Sequence, residues 1–194
     1  MSVAILLLAA GGSTRMGTSK QLLDIGGVPL LVRSTQIALD CGASSVVVVL
    51  GAQAEVHQQA VAGLAAEVIV HRQWKNGMGS SLKAGLTYLL RRQDKPEAVM
   101  VLVCDQPRLT AQHLRALITT YRNTKKSIVA SHYGGTDGVP ALFDQSLFPE
   151  LLMLPDEQGA RKVIAVHEES VVRVSFPEGA IDLDTPEDYR KYKI

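Results

Sequence analysis

The chain predicts a three-layer α/β domain built on a mainly parallel sheet. Three observations point there. Short apolar runs alternate with segments whose apolar residues recur at helical spacing. The runs are rich in valine, isoleucine and leucine without in–out alternation, as in strands covered on both faces. A length of 194 residues, 46% hydrophobic and 20% charged, suits one domain with a substantial core.

In chain order, Val3–Leu8, Ser45–Leu50, Glu67–Val70, Ala98–Cys104 and Ser127–Ala130 read as strands. Between them, Leu30–Asp40 and Glu55–Ala62 fit helices. Leu82, Leu86, Leu89 and Leu90 repeat at helical spacing, as do Leu114, Leu117, Ile118 and Tyr121. After Gly134 the rhythm shortens: Ala141–Phe143, a helix near Gln145–Leu152, another near Ala160–His167, then Val171–Ser175. This stretch reads as a subdomain or insertion ahead of a last strand at Ile181–Leu183. Thr185-Pro186-Glu187-Asp188 opens the final helix, with Thr as N-cap, Pro in the first helical position and acids in the first turn. Residues 1–194 read as one domain, whose rhythm changes between about 1–133 and about 134–194.

Composition removes several function classes. A net charge of +1 offers no field for nucleic acid or a membrane surface, and 5% aromatic content argues against a base-stacking platform. Val3–Ala10 is apolar but short, lacks a basic leader and runs into glycines, so it reads as a strand rather than a signal peptide or span. Cys41 and Cys104 suggest neither a disulfide framework nor a zinc site, and Cys104 reads as a packed small hydrophobe. A cytoplasmic setting is the expectation.

The most informative segment is Leu8 to Lys20, which follows the first strand. Gly11, Gly12 and Gly17 let backbone N–H groups approach a ligand, and Arg15 and Lys20 add fixed positive charge. That combination suits a triphosphate. It is not a Walker A loop: Gly12 and Gly17 have the spacing, but Thr18 follows and the lysine comes late. It is not the dinucleotide fingerprint either.

In open α/β sheets ligands lie beyond the carboxyl ends of the strands. Three further segments meet that condition. Arg72–Ser81, with two glycines and two serines, precedes a helix whose N–H groups either hold polar ligand atoms or take an ordinary cap from Gly79 or Ser80. Asp105, after the Val99–Cys104 strand, reads as a turn former or, opposite a triphosphate loop, as a Mg²⁺ ligand. Asp182 and Asp184 would share one side of the last strand near that metal, or Asp184 would merely precede the helix cap. The histidines are scattered, and no Ser-His-Asp or Cys-His arrangement emerges. Displacement on phosphorus by positioning, cations and a metal is the chemistry these parts suit.

Together these residues resemble the nucleotidyltransferases that act on the molybdenum cofactor. The likeness runs through Leu8–Gly11, Arg15-Met16-Gly17 and Lys20, then Asn76–Leu82, Cys104–Pro107, Gly138–Phe143, Gly159-Ala160-Arg161 and Asp182–Asp188, in family order over nearly the whole chain. Ala10, where guanylyl-transferring members usually carry glycine, makes the resemblance nearer to the cytidylyl-transferring branch. The resemblance implies a Rossmann-like nucleotidyltransferase fold of GT-A type, with a nucleotide-binding half over about 1–133 and an acceptor-binding half carrying the metal-site strand over about 134–194. It implies transfer of CMP from CTP to molybdopterin, with Mg²⁺ as cofactor, pyrophosphate released, and a transient contact with a molybdenum hydroxylase apo-enzyme. It assigns catalysis to Arg15, Lys20 and Asp105. Nucleotide contacts fall to Leu8, Ala9, Ala10, Gly11, Gly12, Ser13, Arg15, Met16, Gly17, Lys20, Gly79, Ser80, Ser81 and Asp105. Pro140, Ala141, Gly159 and Arg161 fall on the acceptor side, and Asp105, Asp182 and Asp184 at the metal. Thr136-Asp137-Gly138-Val139 departs from the family, which has a more basic residue there and often Gly-His before the proline. Competing readings keep the fold with GTP or a sugar phosphate as substrate, or make the chain a non-catalytic carrier of a pterin dinucleotide.

Overall fold

In the computed structural model, which describes residues 1–193, one seven-stranded sheet runs in the order β3-β2-β1-β4-β6-β5-β7. The strands are β1 (Val3–Ala9), β2 (Ser45–Leu50), β3 (Glu67–Val70), β4 (Ala98–Val103), β5 (Ile128–Tyr133), β6 (Thr136–Asp144) and β7 (Val171–Ser175). Only β6 runs against its neighbours, so the sheet is mixed but mainly parallel. The helices are α1 (Leu30–Leu39), α2 (Ala54–Val61), α3 (Met78–Leu90), α4 (Ala111–Thr124), α5 (Phe148–Met153), α6 (Arg161–Val166) and α7 (Pro186–Lys193).

The strands lack alternation because both faces are buried. Ile5, Leu7, Val48 and Met100 pack with α1 and α4 residues, while Leu6, Val47, Val49 and Val101 pack with Leu82, Leu86 and Leu89 of α3. Gly85 exists for this packing: a Cβ there would lie 2.9 Å from Val49 and 3.0 Å from Leu6. The final helix starts as its sequence says. Asp188 N–H donates to Thr185 Oγ1 at 3.2 Å, and Thr185 N–H donates back to the Asp188 carboxylate at 2.8 Å, a reciprocal cap. No described helix is long and apolar enough to cross a membrane.

Two expectations fail. The stretch after Gly134 is not an insertion: Ala141–Phe143 is part of the nine-residue β6, which lies between β4 and β5 in the same sheet. The boundary at 133/134 falls in the hairpin turn at Gly134 and Gly135, both at positive φ. Nor do residues 181–183 form a strand. β4 already has β1 on one side and β6 on the other, which leaves no free edge beside it. The segment instead crosses the carboxyl end of β4, with Leu183 N–H donating to the Asp105 carbonyl at 3.0 Å.

Candidate active site

The chain lays β2 and β3 on one side of β1 and places β4 on the other, so the direction of winding switches between β1 and β4. Loops leaving the two strands diverge at such a point and open a crevice. A cavity of about 300 Å³ lies there, reached by Leu8–Gly11 from β1 and by Cys104 and Asp105 from β4. Ser81 and Met78 of α3 close one side of it.

Charge converges at this crevice. Lys20 Nζ donates to Asp105 at 2.7 Å and to Asp184 at 3.1 Å, and Arg15 reaches Asp184 at 2.8 Å. Burial works against the Lys20 charge, but the facing Asp105 and Asp184 carboxylates outweigh it and hold its pKa above normal. Asp182 shows the reverse: partial desolvation, then the nearby Asp105 and Asp184 charges, push its carboxyl up to about 6. The crossing of residues 181–184 over β4 does what the expected strand would have done. It brings both C-terminal acids to Asp105. Among the described residues, no three histidine, cysteine or acidic side chains already form a metal cage.

The predicted nucleotide residues separate into groups. Leu8, Ala9, Ala10, Gly11, Lys20, Ser81 and Asp105 line the crevice. Arg15 is exposed above it, Met16 is buried under the loop, and Gly17 turns the chain at φ 72°. Gly12 also answers a packing demand. A Cβ there would lie 2.9 Å from the Trp74 indole, which packs over the loop. Gly51 gives way to the same side chain, with a Cβ that would sit 2.6 Å from Trp74. Gly79 presses on the 155–158 loop, its Cβ position 2.4 Å from the carbonyls of Pro155 and Gln158. Ser80 turns away from the crevice: its hydroxyl donates to the Gly77 carbonyl at 2.8 Å and meets His71 at 3.1 Å, in a separate groove.

On the acceptor side, Pro140 and Ala141 are buried within β6, so their side chains offer no surface to a ligand. Gly159 packs on Met78 and thereby joins the acceptor half to the nucleotide crevice. Arg161 lines a second cavity of about 370 Å³ with His132 and Arg173, and its guanidinium donates to Thr136. Asp137, part of the unusual Thr136–Val139 segment, is spent internally: His132 lies 2.7 Å and Arg173 2.9 Å from its carboxylate. Cys104 is buried and its thiol is pushed up to about 12, first by burial and then by Asp105, so it is an inert wall.

Sequence reasoning missed two residues. Trp74 carries only the signal of being the chain's single tryptophan, in a segment already marked by glycines. Gln21, which is 1% exposed, directly follows Lys20 and carries no signal at all without the fold.

Comparison with known proteins agrees with this geometry. Residues 5–171 match the family described as the MobA-like NTP transferase domain. The purine catabolism protein PucB of Bacillus subtilis is 27% identical over 95% of this chain and 92% of its own length. Nicotine blue oxidoreductase of Paenarthrobacter nicotinovorans is 31% identical over 80% and 78%. A probable molybdenum cofactor guanylyltransferase of Trichormus variabilis is 26% identical over 96% and 88%. Among solved structures, Rv0371c of Mycobacterium tuberculosis superposes with a TM-score of 0.84 at 27% identity, covering 98% of this chain and 96% of that one. Its manganese complex gives 0.81 at 25% identity, covering 98% and 97%. With a glycine-rich loop, paired cations and strand-end carboxylates meeting at the switch point of the sheet, the chain belongs to the MobA-like NTP transferase family and is a nucleotidyltransferase.

Proposed function

We propose that this enzyme transfers a nucleoside monophosphate from CTP to the phosphate of molybdopterin, releasing pyrophosphate. The observation that carries the reading is Lys20, held at 2.7 Å from Asp105 and 3.1 Å from Asp184 in the switch-point crevice. A lysine so held is placed to exchange its carboxylates for phosphate oxygens, and the acids it leaves suit a divalent cation. Asp182 stands near Asp105 and Asp184, whose charges add to desolvation in raising its carboxyl to about 6. Mg²⁺ fits that donor set, since it takes one or two carboxylates and completes its shell with phosphate oxygens and water. Asp105 with Asp184 or Asp182 would hold it. When bound, the ion supplies neutralisation of charge on the α-phosphate. The manganese complex of Rv0371c supports a divalent cation in this fold.

The chain's own groups do the rest. Lys20 and Arg15 stabilise charge on the α-phosphate and on the departing pyrophosphate. An oxygen of the acceptor phosphate attacks the α-phosphorus in line, the bond to the β-phosphate oxygen breaks, and pyrophosphate leaves with its electron pair. Arg161, in the second cavity on the acceptor half, would offer its charge to an anionic acceptor. Asp137, in the segment that departs from the family, is held by a hydrogen bond with His132 and an ion pair with Arg173, so its carboxylate is not free to face an acceptor.

Ala10, which lines the crevice, supports CTP, since its methyl would crowd a purine. The guanylyltransferase relative favours a second reading with GTP as donor on the same acceptor. Pyrophosphate release from each of the four NTPs, with and without molybdopterin, decides between them. Release with CTP that requires molybdopterin bears out the proposal. Preference for GTP selects the second reading, and release indifferent to molybdopterin rejects both.

A further inference from the structure

The Gly-rich loop is irregular from Ala10 to Ser19, yet it must aim Lys20 and its backbone donors at a triphosphate. Irregular backbone of that kind needs a template. One side chain provides it. Gln21 is buried beneath the loop, and its amide is fully used. Its Nε2 donates to the carbonyl of Ala9 at 3.1 Å and to that of Gly11 at 2.8 Å. Its Oε1 accepts from the hydroxyls of Ser13 and Ser19, each at 3.0 Å. The amide orientation is unambiguous, because the two carbonyls require the donor end.

The network passes directly to the cation. Lys20 N–H donates to Ser13 Oγ at 3.0 Å, and Ser13 takes the left-handed conformation, φ 52°, that this turn requires. On its outer side, Ser19 is held at 2.7 Å by His57 Nε2 from α2. Gln21 thus ties together the end of β1, the first glycine, the strained serine and the segment that carries Lys20.

We infer that Gln21 is a positioning residue for nucleotidyl transfer: its amide sets the loop conformation through which Lys20 meets the triphosphate. It touches no reacting atom and acts through the loop. The inference rests on the family activity and is independent of which acceptor or base the enzyme uses.

The test is a double-mutant cycle with Lys20→Ala, reading the affinity for Mg²⁺–CTP and Mg²⁺–GTP by calorimetry and turnover by pyrophosphate release. Gln21→Met keeps the length and apolar bulk but removes the amide. It is expected to weaken nucleotide binding about tenfold and to lower kcat further, by about 10²-fold, as small misplacements of catalytic groups do. In the Lys20→Ala background the same change should cost less than about threefold, because residues acting as a unit are not additive. A purely structural role would lower the melting temperature and give the same fold-loss in both backgrounds, which overturns the inference, as does a Gln21→Met enzyme with unchanged affinity and kcat. If Gln21→Met does not fold, Ser13→Ala decides by the same cycle, with a smaller expected loss of about fivefold to tenfold in the wild-type background only. If no acceptor supports turnover, the molybdopterin reading fails while the binding cycle still judges Gln21.

Discussion

The two ends of the sheet treat charge in opposite ways. At the β1/β4 crevice, cations and acids are left exchangeable: Lys20 divides itself between Asp105 and Asp184, Arg15 is exposed, and Asp182 sits among like charges. At the β5–β6–β7 end, polar groups are consumed. Asp137 is closed off by His132 and Arg173. His113 is buried, stacked 4.2 Å from Phe176 and 2.7 Å from Ser131 Oγ. A group whose charge is internally balanced shapes the molecule. A group held in an unsatisfied or exchangeable contact is available to a ligand, and the cost falls on folding stability.

The largest expected effect is at Asp105. Asp105→Asn removes a carboxylate from the crevice, and Mg²⁺-dependent pyrophosphate release should fall by about 10³-fold or more with the melting temperature retained. A variant that keeps both rate and Mg²⁺ dependence would place the site elsewhere and dissolve the contrast. Lys20→Ala should cost on the order of 10²–10³ in turnover, with little loss of stability. Near-normal activity would end its role as the bridging cation.

The counterpart at the other end is Asp137→Asn. It should cost about 1–3 kcal/mol of stability, because His132 and Arg173 lose a charged acceptor, yet leave kcat for the donor half within about threefold. Urea denaturation and initial rates measure the two effects. A large loss of kcat would instead make Asp137 part of the active site.

The two ends should also answer pH with opposite signs. Burial, which outweighs the nearby Glu178, lowers His113 to about 4 from an ordinary 6.5. The unfolded chain therefore takes up its proton first. Stability is full above about pH 6.5 and falls as pH drops toward 4, by about 3 kcal/mol. Asp182, raised from 3.8 to about 6, runs the other way. The folded state binds its proton more tightly, so stability falls as pH rises from about 4 to 6. Stability measured against pH should lose its acid-side slope in His113→Gln and gain stability above pH 6 in Asp182→Asn. Identical profiles for the three proteins would refute both assignments.

The smallest effect sharpens the geometry of the crevice. Trp74 is the chain's single tryptophan and lines the cavity beside Ala10. CTP should change its emission in wild type, and Lys20→Ala should shift that response to higher nucleotide concentration. Emission indifferent to nucleotide would place the base away from the indole.

Local patterns were legible where local physics rules. Apolar runs buried on both faces located β1, β2 and β4. Helical spacing located α3 and α4, and Thr185 with Asp188 placed the start of α7, because each is decided by neighbours within a few residues. The Gly-rich loop, Lys20 and Asp105 were visible as residue types suited to a triphosphate at strand ends. Whether residues 181–184 form a strand was not legible, since that depends on where the chain returns to the sheet, and here it crosses the end of β4, whose two sides β1 and β6 already hold. Ser80 and Ser81 are adjacent in sequence, and only the rotation of α3 against the sheet sends one to the crevice and the other away from it. Gly12 reads in the sequence as a phosphate-loop glycine, and only the fold adds the packing demand of an indole 62 residues away in the chain. Apart from the strand expected at 181–183, the order of strands and helices was determined by the sequence itself, as were the residue types available at strand ends. Tertiary structure alone decided which charges meet, which are spent, and what holds the loop, because burial, edge pairing and electrostatic compensation depend on segments remote along the chain.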